Sequence, residues 1–157
     1  MRSVAMCMLL MAITSSQREI NVIKWPELQE YINQKNDTIK IIHFWATWCK
    51  PCMEEMPDFE KIHQHYNNQK VEVLLVSLDQ VALKEKVVTS LSKKGITAKV
   101  ALLDEVDFNK WIDRVDSTWS GAIPATLIVK TNSNYKKFYE KQFSYQELKN
   151  LIESLNP

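Results

Sequence analysis

The chain has 157 residues, 45% apolar, 25% charged and 10% aromatic. That is an ordinary globular composition, with length for one domain and a substantial core. Two Gly and five Pro exclude collagen-like or low-complexity sequence, and 20 Lys and Arg against 19 Asp and Glu leave a net charge of +1, with no basic excess to draw nucleic acid.

Residues 1–17 read as a secretory signal peptide. Arg2 precedes an apolar run from Val4 to Ile13, and small residues Thr14, Ser15 and Ser16 follow. The run is well short of the roughly 20 residues that span a bilayer. Cys7 lies inside it and reads as a small hydrophobe in a discarded segment. A lipoprotein signal would need a longer apolar stretch before the Cys and a small residue ahead of it, where Met6 stands. Residues 18–157 then form the folded domain, with no internal repeat and no linker.

Ile20–Lys24 is a short strand candidate. Trp25-Pro26-Glu27 opens a helix to about Gln34, with Leu28, Tyr31 and Ile32 as its apolar stripe. Ile39–Trp45 is β-branched, aromatic and apolar on both faces, as a central, doubly covered strand requires. A helix follows from about Cys49 to Tyr66, with Pro57 predicted to kink it. Val71–Ser77 is a second buried strand, Leu83–Lys94 a helix ended by Gly95, and Val100–Leu103 a short strand. Phe108, Trp111, Ile112 and Val115 mark another helix. Thr126–Lys130 and Tyr135–Glu140 are strands about a turn at Thr131–Asn134, and Lys136 and Lys137 suit a sheet edge. Ser144 and Glu147 form a capping box before the last helix. Strands alternating with helices, then a hairpin and a helix, predict an α/β sandwich.

Trp48-Cys49-Lys50-Pro51-Cys52 follows a buried strand and opens a helix. The helix start offers unpaired N–H groups and the positive dipole end, which favour a thiolate at Cys49. Cys49 is therefore the nucleophile, and Cys52, one turn further in, resolves the mixed disulfide. A zinc half-site would need two further ligands. No second Cys pair exists, and His63 and His65 point to different sides of a helix.

Phe44-Trp-Ala-Thr-Trp-Cys-Lys-Pro-Cys52 resembles the thioredoxin superfamily. Cys-Met-Glu-Glu-Met-Pro57 and Gly121-Ala-Ile-Pro-Ala-Thr126 are similar to its TlpA/ResA branch of exported thiol-disulfide reductases. The resemblance covers roughly residues 20–155. It implies a thioredoxin fold, with a mixed central sheet flanked by helices on both faces. It also implies an extra helical insertion after the second central strand, to which Leu83–Lys94 contributes. Ile123-Pro124 would be a cis peptide facing the Cys pair, its backbone pairing with an extended substrate segment. In the branch the Glu at position 55 tunes the Cys pair; otherwise Glu55 is a carboxylate complementing the helix start. His43 stands where cytosolic thioredoxins carry a buried Asp, either as a packed neutral imidazole or as a proton-transfer group. Trp48 and Pro51 join Ile123 and Pro124 on the substrate side.

The sequence thus predicts a periplasmic, monomeric protein-disulfide reductase with no cofactor and no metal. Its expected partners are protein thiols and disulfides and a membrane or periplasmic thiol electron donor. Lys50-Pro51 between the cysteines leans toward a reductant, since oxidant relatives usually carry His there. A related thiol peroxidase would place Thr three residues before its Cys, whereas Thr47 lies two before Cys49. A copper-handling domain of this fold would use a Cys-x-x-x-Cys pair and a distal His, and no His follows His65. Intact-mass analysis of the native protein should find its first residue near Ser15–Arg18; retained Met1 or Cys7 would overturn the export reading.

Overall fold

The computed structural model describes residues 19–155. The expected signal segment and Cys7 lie outside the described residues, as do residues 156 and 157.

Six strands form one mixed sheet in the order β1-β4-β3-β2-β5-β6. Their ranges are β1 Asn21–Ile23, β2 Ile39–Trp45, β3 Val71–Ser77, β4 Lys99–Leu103, β5 Ala125–Lys130 and β6 Tyr135–Tyr139. The pairs β1·β4, β4·β3 and β3·β2 are parallel, while β2·β5 and β5·β6 are antiparallel. Five α-helices accompany them among the described residues: α1 Trp25–Asn33, α2 Lys50–His65, α3 Lys84–Lys93, α4 Ile112–Val115 and α5 Tyr145–Leu155. The arrangement is the expected thioredoxin fold.

Each element follows from local chemistry. Pro26 sits in the first turn of α1, where a missing N–H costs no helical bond, and Glu27 accepts from the Lys24 N–H at 2.6 Å. Pro57 removes one bond of the α2 ladder, yet the helix runs through it to His65. Gly95 takes φ +64° after α3, and the Ile96 N–H reaches back to the Leu91 carbonyl at 3.1 Å, closing the helix end. At α5 the predicted capping box forms. The Ser144 N–H donates to Glu147 at 2.8 Å, and the Glu147 N–H to the Ser144 hydroxyl at 3.3 Å.

All seven residues of β2 are buried, and alternation sends its side chains into two cores. Ile39, Ile41 and Trp45 join the side packed by Met56, Phe59 and Ile62 of α2, Val87 and Leu91 of α3, and Leu148 and Ile152 of α5. Ile42 and Phe44 join the other side with Trp25, Leu28 and Ile32 of α1, then Trp111, Val115 and Trp119. Lys40 is buried there too. Its ammonium donates to the carbonyls of Tyr31 and Gln34 at 2.6 and 3.0 Å, so it caps the end of α1.

The extra segment after β3 is more than helical. A 3-10 turn at Val81–Leu83 leads into α3, and the chain returns as β4, inserted between β3 and β1. The helix expected around Phe108–Val115 divides into a 3-10 turn, Phe108–Lys110, and the short α4. Glu60 of α2 ties this segment to the core. Its carboxylate accepts the N–H groups of Thr97 and Ala98 at 2.8 and 2.9 Å, and these bonds hold it below the usual carboxylate range against the opposing effect of burial. Glu60→Ala should lower stability by about 2 kcal/mol in urea unfolding, the scale for removing a charged acceptor from buried donors; an unchanged midpoint would make the tie dispensable.

Candidate functional site

The site is built where β2 ends. Trp45 is the last strand residue, and the chain turns through Ala46, Thr47 and Trp48 into α2. The Cys49 N–H donates to the Ala46 carbonyl at 3.1 Å, tightening that turn. Asp79, just past the end of β3, secures it from the side. Its carboxylate accepts the Thr47 N–H at 2.8 Å and the Thr47 hydroxyl at 2.6 Å, and is itself held by Ser77 at 2.9 Å. Nothing in local spacing marks Asp79, which is 32 residues from Thr47.

Cys49 is the N-cap of α2 and is joined to Cys52 by a disulfide, with Cα atoms 5.3 Å apart. The Cys52 N–H donates to Cys49 Sγ at 3.3 Å. The helix start therefore directs a hydrogen bond at this sulfur, the arrangement that stabilises a thiolate once the disulfide opens. Cys49 is 6% exposed and Cys52 is sealed at 0%. Pro51 occupies the first turn, and its carbonyl accepts from the Gln142 side chain at 3.0 Å.

The Ile123–Pro124 peptide is cis, and the Ile123 carbonyl oxygen lies 3.7 Å from Cys49 Sγ. The loop before it is held by Trp119, whose indole N–H donates to the Ala122 carbonyl at 2.8 Å, and by Ser120, which donates from backbone and hydroxyl to Glu140. Trp48 stands apart, 65% exposed. It borders a cavity of about 590 Å³ whose lining includes the exposed apolar residues Val81, Leu83, Val106 and Phe108. The structure thus brings Trp48, Cys49, Pro51 and Cys52 into one turn and sets Ile123 against Cys49.

Glu55 lies one turn below Cys52 and is only 4% exposed. Its Oε2 accepts the Phe143 N–H at 2.6 Å. Its Oε1 has no hydrogen-bond partner and faces His43 Nε2 across 3.6 Å. His43 is fully buried in β2, stacked on Phe59 with ring centroids 4.1 Å apart, and its Nδ1 meets the Thr126 hydroxyl at 3.1 Å. Burial pushes the Glu55 carboxyl up to about 7, with Asp58 and Glu147 adding like charge against the pull of the Phe143 N–H. Burial also drives the His43 imidazole down to about 3. A neutral imidazole opposite a carboxyl that keeps its proton to near neutrality is not an ion pair. Among the described residues, no group of three or more His, Cys, Asp and Glu side chains is placed to hold a metal ion.

These two groups pull stability in opposite directions. Glu55 binds its proton more tightly when folded, so its contribution is complete below the ordinary value of 4.5 and is lost as pH rises through about 7. His43 resists protonation when folded, so its contribution is present above 6.5 and is lost as pH falls toward about 3. In the oxidised protein the two slopes oppose each other between 4.5 and 6.5. Glu55→Gln removes the falling limb. Relative to the parent, its unfolding free energy in a urea series should rise with pH across that window, and a constant difference from the parent would overturn the burial account.

Comparison with known proteins agrees with the geometry. A profile described as the AhpC/TSA family matches residues 19–137. The thiol-disulfide oxidoreductase ResA of Geobacillus thermodenitrificans is 29% identical over 120 residues, covering 74% of this chain and 62% of that protein's length. This chain therefore spans less than two thirds of that relative. A thioredoxin-related protein of Neisseria meningitidis shares the fold at a TM-score of 0.68 and 18% identity, covering 78% of this chain and 88% of the other. A secreted thiol-disulfide isomerase of Corynebacterium glutamicum superposes at a TM-score of 0.64 and 14% identity, covering 82% and 74%. With well over half its length matched by that one profile, the chain belongs to the AhpC/TSA family, here in thioredoxin-fold form with a Cys49–Cys52 disulfide.

Proposed function

We propose that the protein is a thiol-disulfide oxidoreductase that acts on other proteins and works mainly as a reductant. The carrying observation is the redox pair itself: Cys49 and Cys52 closed as a disulfide at the start of α2, with the Ile123 carbonyl beside the outer sulfur. The ResA relative supports the same chemistry. In the reduced form Cys49 attacks one sulfur of a substrate disulfide, and the substrate's other sulfur leaves as a thiolate. Cys52 then loses its proton and attacks Cys49 Sγ. The Cys49–Cys52 bond forms, the mixed disulfide breaks, and two electrons have passed to the substrate. Glu55, one turn beyond Cys52, is the carboxylate that takes that proton as the Cys49–Cys52 bond closes, and its raised affinity for protons lets it keep the proton in the disulfide form near neutral pH.

The substrate segment lies extended against the Ile123 backbone, with Pro124 and Pro51 bordering it, and apolar side chains of the substrate rest on Trp48 and its neighbouring cavity. Main-chain pairing gives affinity without demanding one sequence. A thiol donor of the membrane or periplasm returns the pair to the dithiol state. The Arg2-led apolar segment supports export to a compartment where protein disulfides form. The peroxidase alternative has no geometric support, because both the N–H and the hydroxyl of Thr47 are directed at Asp79.

Alkylation of the reduced protein should label Cys49 well ahead of Cys52. Cys49→Ser should abolish exchange with a protein disulfide, and Cys52→Ser should accumulate a stable mixed disulfide through Cys49. Faster labelling of Cys52, or turnover by Cys49→Ser, would overturn the assignment.

A further inference from the structure

The core holds several buried polar groups, and nearly all their contacts are explicable by packing. Lys40 has two carbonyls, Glu60 its amides and hydroxyl, and Asp79 the turn at Thr47. Among the described residues the indole nitrogens of Trp25, Trp45 and Trp111 and the Tyr66 hydroxyl are buried without a hydrogen-bond partner, as are His43 Nε2 and Glu55 Oε1. These last two differ in facing each other as an acid–base pair. Nε2 and Oε1 are both buried, neither has a hydrogen-bond partner, and they point at each other across 3.6 Å. Their remaining polar atoms are engaged, Nδ1 with Thr126 and Oε2 with the Phe143 N–H. An imidazole nitrogen without hydrogen and a carboxylate oxygen are both acceptors. Two acceptors left facing each other in a dry core are costly, and a single proton between them satisfies both.

We propose that His43 is a positioning residue for the proton transfer that accompanies thiol exchange: in the disulfide form Glu55 Oε1 carries a proton and donates it to His43 Nε2, while His43 Nδ1–H donates to the Thr126 hydroxyl. Reduction of the S–S bond by a partner dithiol leaves Cys52 as a thiolate. The Glu55 proton moves to Cys52 Sγ, and a carboxylate remains. In the closing direction Cys52 returns the proton to Glu55 as its sulfur attacks Cys49 and the partner's thiolate leaves. His43 keeps its Nδ1 hydrogen throughout. Its bare Nε2 lone pair then opposes the carboxylate and welcomes the acid, so the imidazole holds Glu55 ready to take the proton.

The high carboxyl and low imidazole values described above fit this assignment without carrying it. The other groups that bear on Glu55 are Asp58 on its own helix, Glu147 on α5 and the Cys49–Cys52 pair at the top of α2. Both carboxylates act in the same direction as burial. Glu147 is itself engaged by Lys141 at 2.7 Å and by the Ser144 N–H at 2.8 Å. Around His43 the packed partners are Phe59 on α2 and Thr126 on β5, neither of them titratable in the range that matters.

The link to exchange rests on the dithiol reading above, but the proton site can be read without turnover. In the oxidised full chain, nitrogen NMR of His43 should show hydrogen on Nδ1 and a hydrogen-bonded, unprotonated Nε2. The infrared band of a protonated carboxyl, absent in Glu55→Gln, should disappear with the same midpoint at which the Nε2 signal moves. His43→Phe keeps a ring against Phe59 and removes the acceptor; its carboxyl midpoint should fall by about one pH unit, the equivalent of one hydrogen bond to the neutral acid. The pH profile of exchange should move with it. Hydrogen on Nε2 below the carboxyl midpoint, or an unmoved midpoint in folded His43→Phe, overturns the proposal. If that variant does not fold, the nitrogen signals of the parent decide alone. A protein with the shared proton but no thiol exchange would overturn the dithiol reading and, with it, the positioning role, leaving only the proton site; exchange without the shared proton would uphold the dithiol reading and overturn this proposal.

Discussion

Burial of β2 on both faces is the constraint from which the rest of the structure follows. A strand covered by helices on each side and paired along both edges, with β3 and β5, has no exposed ladder group and no face left for water. Such a strand cannot move relative to the sheet without opening both cores. The turn that leaves its end is therefore placed with the same rigidity, and that turn delivers Cys49. One residue then has two duties. Cys49 caps α2, and it is the outer sulfur of the redox pair. The helix start that needs an acceptor and the sulfur that benefits from donors satisfy each other.

The buried polar groups divide by how completely they are satisfied. Lys40 and Glu60 each make several hydrogen bonds and join two elements: Lys40 fixes the end of α1 on β2, and Glu60 fixes the segment before β4 on α2. Asp79 does the same for the turn before Cys49. His43 and Glu55 break the pattern, because each retains one buried atom with no partner except the other. Well-paired networks lock geometry, whereas a group with one open valence can change its proton content without unfolding its surroundings. Under the proposed proton transfer, that difference separates the scaffold of this site from its working part.

The surface around the disulfide is assembled from distant pieces. The Trp48 ring lies on the β2–α2 turn, the Ile123 carbonyl on the segment entering β5, and the cavity beside Trp48 on the ends of β3 and β4. Because the inserted strand β4 sits between β3 and β1, the residues after it, Val106 and Phe108 among them, reach the same end of the sheet as Trp48. The insertion thus widens the apolar surface next to the redox pair instead of merely lengthening the sheet.

What the sequence by itself determined is what short spacing controls. Two cysteines three apart after an apolar strand set the pair that closes as the Cys49–Cys52 disulfide, since helix geometry leaves little freedom over one turn. The β2 run, the Gly95 stop and the Ser144–Glu147 box were legible for the same reason. The thioredoxin resemblance carried the cis bond before Pro124, which no local pattern distinguishes from other X-Pro bonds. Tertiary structure alone decided the rest. It placed β4 between β1 and β3, brought Asp79 to Thr47, buried Lys40 over the end of α1, and closed the Phe143 segment over Glu55 so that its free oxygen met His43. Each of these joins residues on different elements, where the sequence interval constrains nothing. Which polar groups meet in the core depends on how whole faces pack, and only the folded chain contains that information.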